Sequence, residues 1–87
     1  GGDEFSVLLC GCSMEGAIIV AERIIERLKM PFPIAGHICQ IGASIGIAVF
    51  NNTEDVASLV NRADQAMYTA KEAGKNCYRI ATFQEYE

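Results

Sequence analysis

The spacing of apolar positions changes several times along the chain, and each change marks an element. Phe5-Ser6-Val7-Leu8-Leu9-Cys10 is a short, mainly apolar run that follows Gly1-Gly2-Asp3-Glu4. Its length and composition predict a strand, entered from a tight turn and buried in part on both faces. Gly11 to Ser13 breaks the run, and Ser13 suits a helix N-cap. From Met14 to Met30 the apolar positions Ala17, Ile18, Ala21, Ile24, Ile25 and Leu28 recur at helical spacing, with Glu15, Glu22, Arg23, Glu26, Arg27 and Lys29 between them. This helix reads as ordinary core cover. Pro31 and Pro33 end it, since proline cannot continue a helix and pushes the residue before it toward extended geometry.

The next segment alternates glycine with isoleucine. It predicts a short strand near Phe32–Ala35, a turn at Gly36 and one long strand from about Ile38 to Val49. Gly42 and Gly46 inside that strand point to bulges or a close backbone approach. Asn51-Asn52-Thr53 reads as a turn and cap, with Glu54 and Asp55 where a helix dipole favours negative charge. Val56, Leu59, Val60, Ala63, Met67 and Ala70 form a second helical stripe, and Gly74 suits the left-handed position after its end. Cys77 to Ala81 reads as a last strand. With no internal repeat, this order predicts an α+β domain, helices packed on a largely antiparallel sheet. A strand that starts at residue 5 from a two-glycine turn leads us to expect a partner strand before it, so the sheet reads as partial.

At 87 residues, 51% of them hydrophobic and 21% charged, the chain is neither disordered nor fibrous. It suffices for one small domain, which buries only about 60–65% of the surface its unfolded chain exposes and is marginal without outside support. Charge interrupts every apolar stretch well short of the ~18 residues of a membrane span. Seven Lys and Arg against eleven Asp and Glu argue against a general nucleic-acid binder, but not against a nucleotide site built on metal ions. No signal segment precedes the globular pattern, and the chain opens on Gly1, which suggests a piece of a cytoplasmic protein. Residues 83–87 read as a polar tail or linker. Cys10, Cys12, Cys39 and Cys77 are too scattered for a disulfide framework and read as reduced thiols. The Cys10-x-Cys12 pair is a weak metal signal without a second pair nearby.

Two clusters carry candidate chemistry. Gly1 and Gly2 supply the backbone freedom of a two-residue hairpin turn and leave room for a phosphate chain against the main chain. Asp3 and Glu4 beside them can hold Mg²⁺, which takes a few carboxylate oxygens together with substrate phosphates. The same four residues also suit a plain surface hairpin with solvated acids. In the second helix Asp64, Tyr68 and Lys71 share a face away from the apolar stripe, and Lys75 follows the capping glycine. The two lysines can complement the helix dipole or serve as point charges for a triphosphate. His37 reads as a turn or strand-edge residue, and Tyr68 and Tyr78 as packing groups with a wet hydroxyl.

Together these residues resemble the GGDEF family, the diguanylate cyclases. Gly1-Gly2-Asp3-Glu4-Phe5 matches the five-residue signature, and Ser44-Ile45-Gly46-Ile47-Ala48 is similar to the family's central-strand segment. Asp64 to Asn76 is similar to its D-x-A-x-Y-x-A-K-x-x-G-[RK]-N segment. The resemblance implies a palm-like sheet flanked by helices, as in nucleotidyl cyclases, with residues 1–82 forming the C-terminal portion of one domain. It implies condensation of two GTP to cyclic di-GMP by two facing domains of a homodimer, with Mg²⁺ or Mn²⁺. Asp3 and Glu4 would then be the catalytic and metal-binding carboxylates, with Asp3 placed to activate the 3′-hydroxyl. Gly1, Gly2, Lys71 and Lys75 would bind substrate, and Phe5 would anchor the hairpin in the core. The family's upstream metal-sharing aspartate, its guanine-reading Asn/Asp pair and its R-x-x-D inhibitory motif would lie in a missing N-terminal half. The 87 residues alone are therefore expected to be inactive. The alternative is a non-catalytic GGDEF module that binds GTP and regulates an attached phosphodiesterase or sensor. No DNA, RNA or membrane contact is expected of this segment.

Overall fold

The computed structural model describes residues 3–39, 41–50 and 53–81. The proposed roles of Gly1 and Gly2, the Asn51-Asn52 part of the expected cap and the 83–87 tail lie outside the described residues. In chain order the elements are β1 (Asp3–Gly11), α1 (Met14–Lys29), β2 (Phe32–Ile34), β3 (His37–Cys39), β4 (Ile41–Val49), α2 (Val56–Glu72) and β5 (Cys77–Ile80).

The three longer-range strands form one sheet in the order β1-β4-β5, and both of its pairings are parallel. The expectation of a largely antiparallel central sheet is corrected here. A helix intervenes between β1 and β4 and another between β4 and β5, and such a crossover returns the chain to the edge it left, running in the same direction. Antiparallel pairing is confined among the described residues to the β2-β3 hairpin, turned at Ala35 and Gly36 with positive φ at both, as a tight primed turn requires. Residues 37–49 are accordingly two strands: β3 pairs with β2, and β4 pairs in the sheet.

β4 is the centre of the molecule. Ala43 through Ala48 are all buried, because each face of the strand is covered by a different helix. Ala43, Ile45 and Ile47 pack with Ala21 of α1, joined by Ile18, Ile24, Ile25 and Leu28. On the opposite face Ala48 packs with Leu59 and Ala63 of α2. Gly46 belongs to that second face. A Cβ there would lie 1.9 Å from the Ala63 carbonyl oxygen and 2.5 Å from the Met67 nitrogen, so its role is close backbone approach, not a bulge.

Three details of the packing differ from the expected pattern. β1, expected to be partly buried on both faces, is an edge of the described sheet: only Val7 and Leu9 join the core, and Phe5 is exposed instead of anchoring it. The buried stripe of α2 is Leu59, Ala63, Ala66 and Ala70. Val56 and Val60 are exposed, because the helix lies on β4 through its smallest side chains. Finally, the α2 N-cap is Asp55, whose carboxylate accepts from the Ser58 N–H at 2.8 Å. The α1 cap is Ser13 as expected, its hydroxyl accepting from the Gly16 N–H at 3.1 Å.

Candidate nucleotide site at the N-terminal edge of the sheet

Because the strands are parallel and in register, the start of β1 lies beside the start of β4. Asp3 faces Ile41 across the ladder and Glu4 faces Gly42; for Asp3 and Glu4 only the backbone is described. β5 begins on the other side of β4, with Cys77 opposite Ser44. Two inter-strand spacings of ~4.8 Å therefore separate the Asp3-Glu4 backbone from the turn that leads into β5. That turn joins α2 to β5 and carries Lys75. The sequence motifs at positions 1–5 and 64–76 are thus brought to one end of one sheet, with Ser44 to Ala48 as the buried strand between them.

The α2 C-terminus shows how the turn is built. The Lys75 N–H donates to the Ala70 carbonyl at 3.0 Å and the Gly74 N–H to the Lys71 carbonyl at 3.2 Å, a paired closure that satisfies the last helical carbonyls. Gly74 has φ of +112°, the left-handed region where glycine alone carries no steric cost. Lys75 and Asn76 follow with φ of +68° and +52°. Asn76 then reaches back to β4: its Oδ1 accepts from the Ala43 N–H at 3.1 Å. Ala43 sits one residue before the β4-β5 ladder starts, so the carboxamide supplies an acceptor beyond the point where β5 main chain does.

Lys71 is exposed in the last turn of α2, and Asp64 and Tyr68 are exposed on the same side of the helix. The nearby Glu72 carboxylate, which favours the protonated hydroxyl, raises the Tyr68 pKa above its usual 10.0. Tyr68 is therefore a surface residue, whereas Tyr78 packs on the α1 side of the core. His37 is exposed on β3, as expected of a strand-edge residue. Among the described residues no group of three His, Cys, Asp or Glu gathers as a metal site, and Cys10 and Cys12 are both exposed and free. Asp3 and Glu4 are residue types that suit a hard divalent ion: two carboxylates would supply part of an all-oxygen shell and leave positions for phosphate and water.

The opposite end of the sheet is tied down by Arg62, which no sequence pattern marks out. Arg62 of α2 bonds Glu54 through Nε at 3.0 Å and through Nη2 in an ion pair, both side chains largely buried. The same guanidinium donates to the Val49 carbonyl at 2.7 Å and the Ala81 carbonyl at 3.5 Å, binding the ends of β4 and β5 to α2. Asn76 is visible in the sequence only as a letter of a motif, whereas Gly42 is expected as a bulge or close approach and proves to be a close approach to the Asn76 side chain. A glycine early in a buried strand, with an asparagine just past a helix-ending glycine, is the signal that could have paired them.

The family model for the diguanylate cyclase GGDEF domain matches residues 1–77, which takes in the signature, the buried strand and the α2 C-terminal turn. The chain belongs to the GGDEF family. Among similar proteins, signaling protein YkoW of Bacillus subtilis is 40% identical over 95% of the chain. The bifunctional diguanylate cyclase/cyclic di-GMP phosphodiesterase MucR of Pseudomonas aeruginosa is 39% identical over 90% of it. Cyclic di-GMP phosphodiesterase PdeR of Escherichia coli is 39% identical over 94%. This GGDEF chain spans only 11%, 12% and 13% of the lengths of those three proteins. Its α+β architecture, a small parallel sheet between helices, is that of a partial palm-like domain. Among the described residues no helix is long and apolar enough to cross a membrane.

Proposed function

We propose that the protein carrying this GGDEF domain is a diguanylate cyclase, condensing two GTP to cyclic di-GMP in cytoplasmic signalling. One observation carries the reading: the signature backbone and the lysine-bearing turn after α2 lie at the same end of one sheet, on either side of β4, to which Asn76 is bonded at Ala43. Asp3 and Glu4 would hold Mg²⁺ or Mn²⁺. When bound, such ions neutralise the charge that develops on the transferring phosphoryl group. Asp3 takes up the proton of the attacking 3′-hydroxyl as the new ester bond to the α-phosphorus forms and pyrophosphate departs. Lys71 and Lys75 steady the phosphates, and Gly1 and Gly2 let the main chain approach them. A second GGDEF domain supplies the other GTP, and an N-terminal half of the same domain completes the pocket, so the 87 residues by themselves turn over no GTP.

The test is cyclic di-GMP formation from GTP and Mg²⁺ by the parent protein, beside its Asp3→Ala variant. Product that disappears with Asp3→Ala supports the cyclase. The phosphodiesterase name of one similar relative favours a second reading, a GTP-binding regulatory module. GTP binding with no product in the wild type would move the assignment there.

A further inference from the structure

Resting on the nucleotide-site reading above, we propose that Asn76 is a positioning residue for Lys75, and that Gly42 is required in β4 to admit its side chain. The helix closure at Ala70 and Lys71 needs a left-handed residue only at Gly74. Lys75 and Asn76 are left-handed as well, and for a lysine that conformation is disfavoured. Continuing the β5 ladder back through residues 75 and 76 could give the Ala43 N–H a main-chain acceptor without this strain. The chain instead uses the Asn76 carboxamide, at 3.1 Å. What it gains is the placement of Lys75: with its own N–H held by Ala70 and the next side chain held by β4, its backbone is fixed at both sides.

Gly42 fits the same account. A Cβ at position 42 would lie 2.6 Å from Asn76 Oδ1 and 3.3 Å from its Cγ, so any larger residue displaces the acceptor. Gly42 is also the ladder partner of Glu4, which anchors the turn to the row of the sheet that carries the signature. The fixed cation matters because this edge holds the C-terminal, negative end of α2, which repels phosphate unless a positive charge is held there.

The experiment measures GTP affinity in the presence of Mg²⁺ and thermal unfolding for the parent protein and its Lys75→Ala, Asn76→Gly and doubly substituted variants. Glycine at 76 keeps the left-handed backbone and removes only the carboxamide. If Asn76 acts through Lys75, Asn76→Gly weakens GTP binding several-fold in the wild type. In the Lys75→Ala background it adds less than about twofold, since coupled residues are non-additive. Undiminished affinity in Asn76→Gly, or effects that multiply, would overturn the proposal. Should Asn76→Gly not fold, Gly42→Ala in the same two backgrounds must show the same non-additivity. A parent protein that binds no GTP overturns both this proposal and the nucleotide site; one that binds GTP without making product overturns only the cyclase.

Discussion

Gly46→Ala is the substitution the packing opposes most strongly. An added Cβ would lie 1.9 Å from the Ala63 carbonyl oxygen, about 1.5 Å short of ordinary contact, which begins near 3.4 Å. It would also meet the Met67 nitrogen at 2.5 Å and the Met67 Cβ at 2.8 Å. Two of these atoms are helix backbone, so no side-chain rotation relieves the clash, and α2 must lift from β4. A gap of 0.5–1 Å already forfeits about a quarter to a half of the dispersion energy across an interface. Here that interface is the line of Leu59, Ala63, Ala66 and Ala70. Overpacking costs about 1–3 kcal/mol where side chains can move, and this case belongs at or above ~3 kcal/mol. A domain of this size is stable by roughly 4–13 kcal/mol, so the loss is a large share of the total. In a urea titration of the parent protein followed by far-UV circular dichroism, the midpoint should fall sharply or the transition should lose cooperativity. Gly11→Ala is the control, since nothing lies within 4 Å of its Cβ position, and its midpoint should barely move. A Gly46→Ala protein within about 0.5 kcal/mol of wild type would refute the close-packing argument.

Other outcomes follow from the same coordinates. Arg62→Met removes the ion-pair partner of the largely buried Glu54 carboxylate and the donors to Val49 and Ala81; it should cost about 3 kcal/mol in urea unfolding, with a loss under 1 kcal/mol counting against the clamp. Ser44 is buried with no hydrogen-bond partner for its hydroxyl among the described residues, so Ser44→Ala should leave the melting temperature level or raise it; a clear drop would reveal a partner for the hydroxyl. The Ser58 N–H holds the Asp55 carboxyl below its usual 3.8, a depressed folded value. Its contribution is therefore complete above the unfolded pKa and lost as pH falls through the folded one. Asp55→Asn should flatten the decline of urea midpoints below about pH 4, and an unchanged slope would remove Asp55 from the acid response.

Much of the fold was legible because local chemistry and tertiary packing agree. Ser13, the α1 stripe and Gly74 each mark a boundary by a mechanism that acts within one turn of chain, and the structure keeps all three. The antiparallel sheet and the buried Val56 and Val60 were misread for a shared reason: both depend on which element lies across the way. The turn at Gly36 is visible in sequence, but the pairing of β1 with β4, nearly forty residues away, is not. Once α2 lies on Gly46, only small side chains fit between, and the alanines displace the valines from the interface. The site was legible as motifs and not as geometry. The bond that joins the two motifs, from the Ala43 N–H to Asn76, spans 33 positions of chain.

The polarity of this end of the sheet bears on the proposed nucleotide site. In open parallel sheets ligands usually gather at the carboxyl ends of the strands, where helix N-termini offer N–H groups and positive dipoles to phosphate. Here the signature stands at the amino ends of β1 and β4, while α1 and α2 both start from the other end of the sheet. What reaches the signature is the C-terminal end of α2, whose carbonyls favour cations. Under the proposed function, a triphosphate at this end would gain nothing from the dipoles of α1 and α2, and its charge would be met in part by metal ions on Asp3 and Glu4 and by Lys71 and Lys75. On the proposed function, the left-handed turn that carries Lys75 and the asparagine that clamps it would offset the negative pole of α2 where a nucleotide would sit.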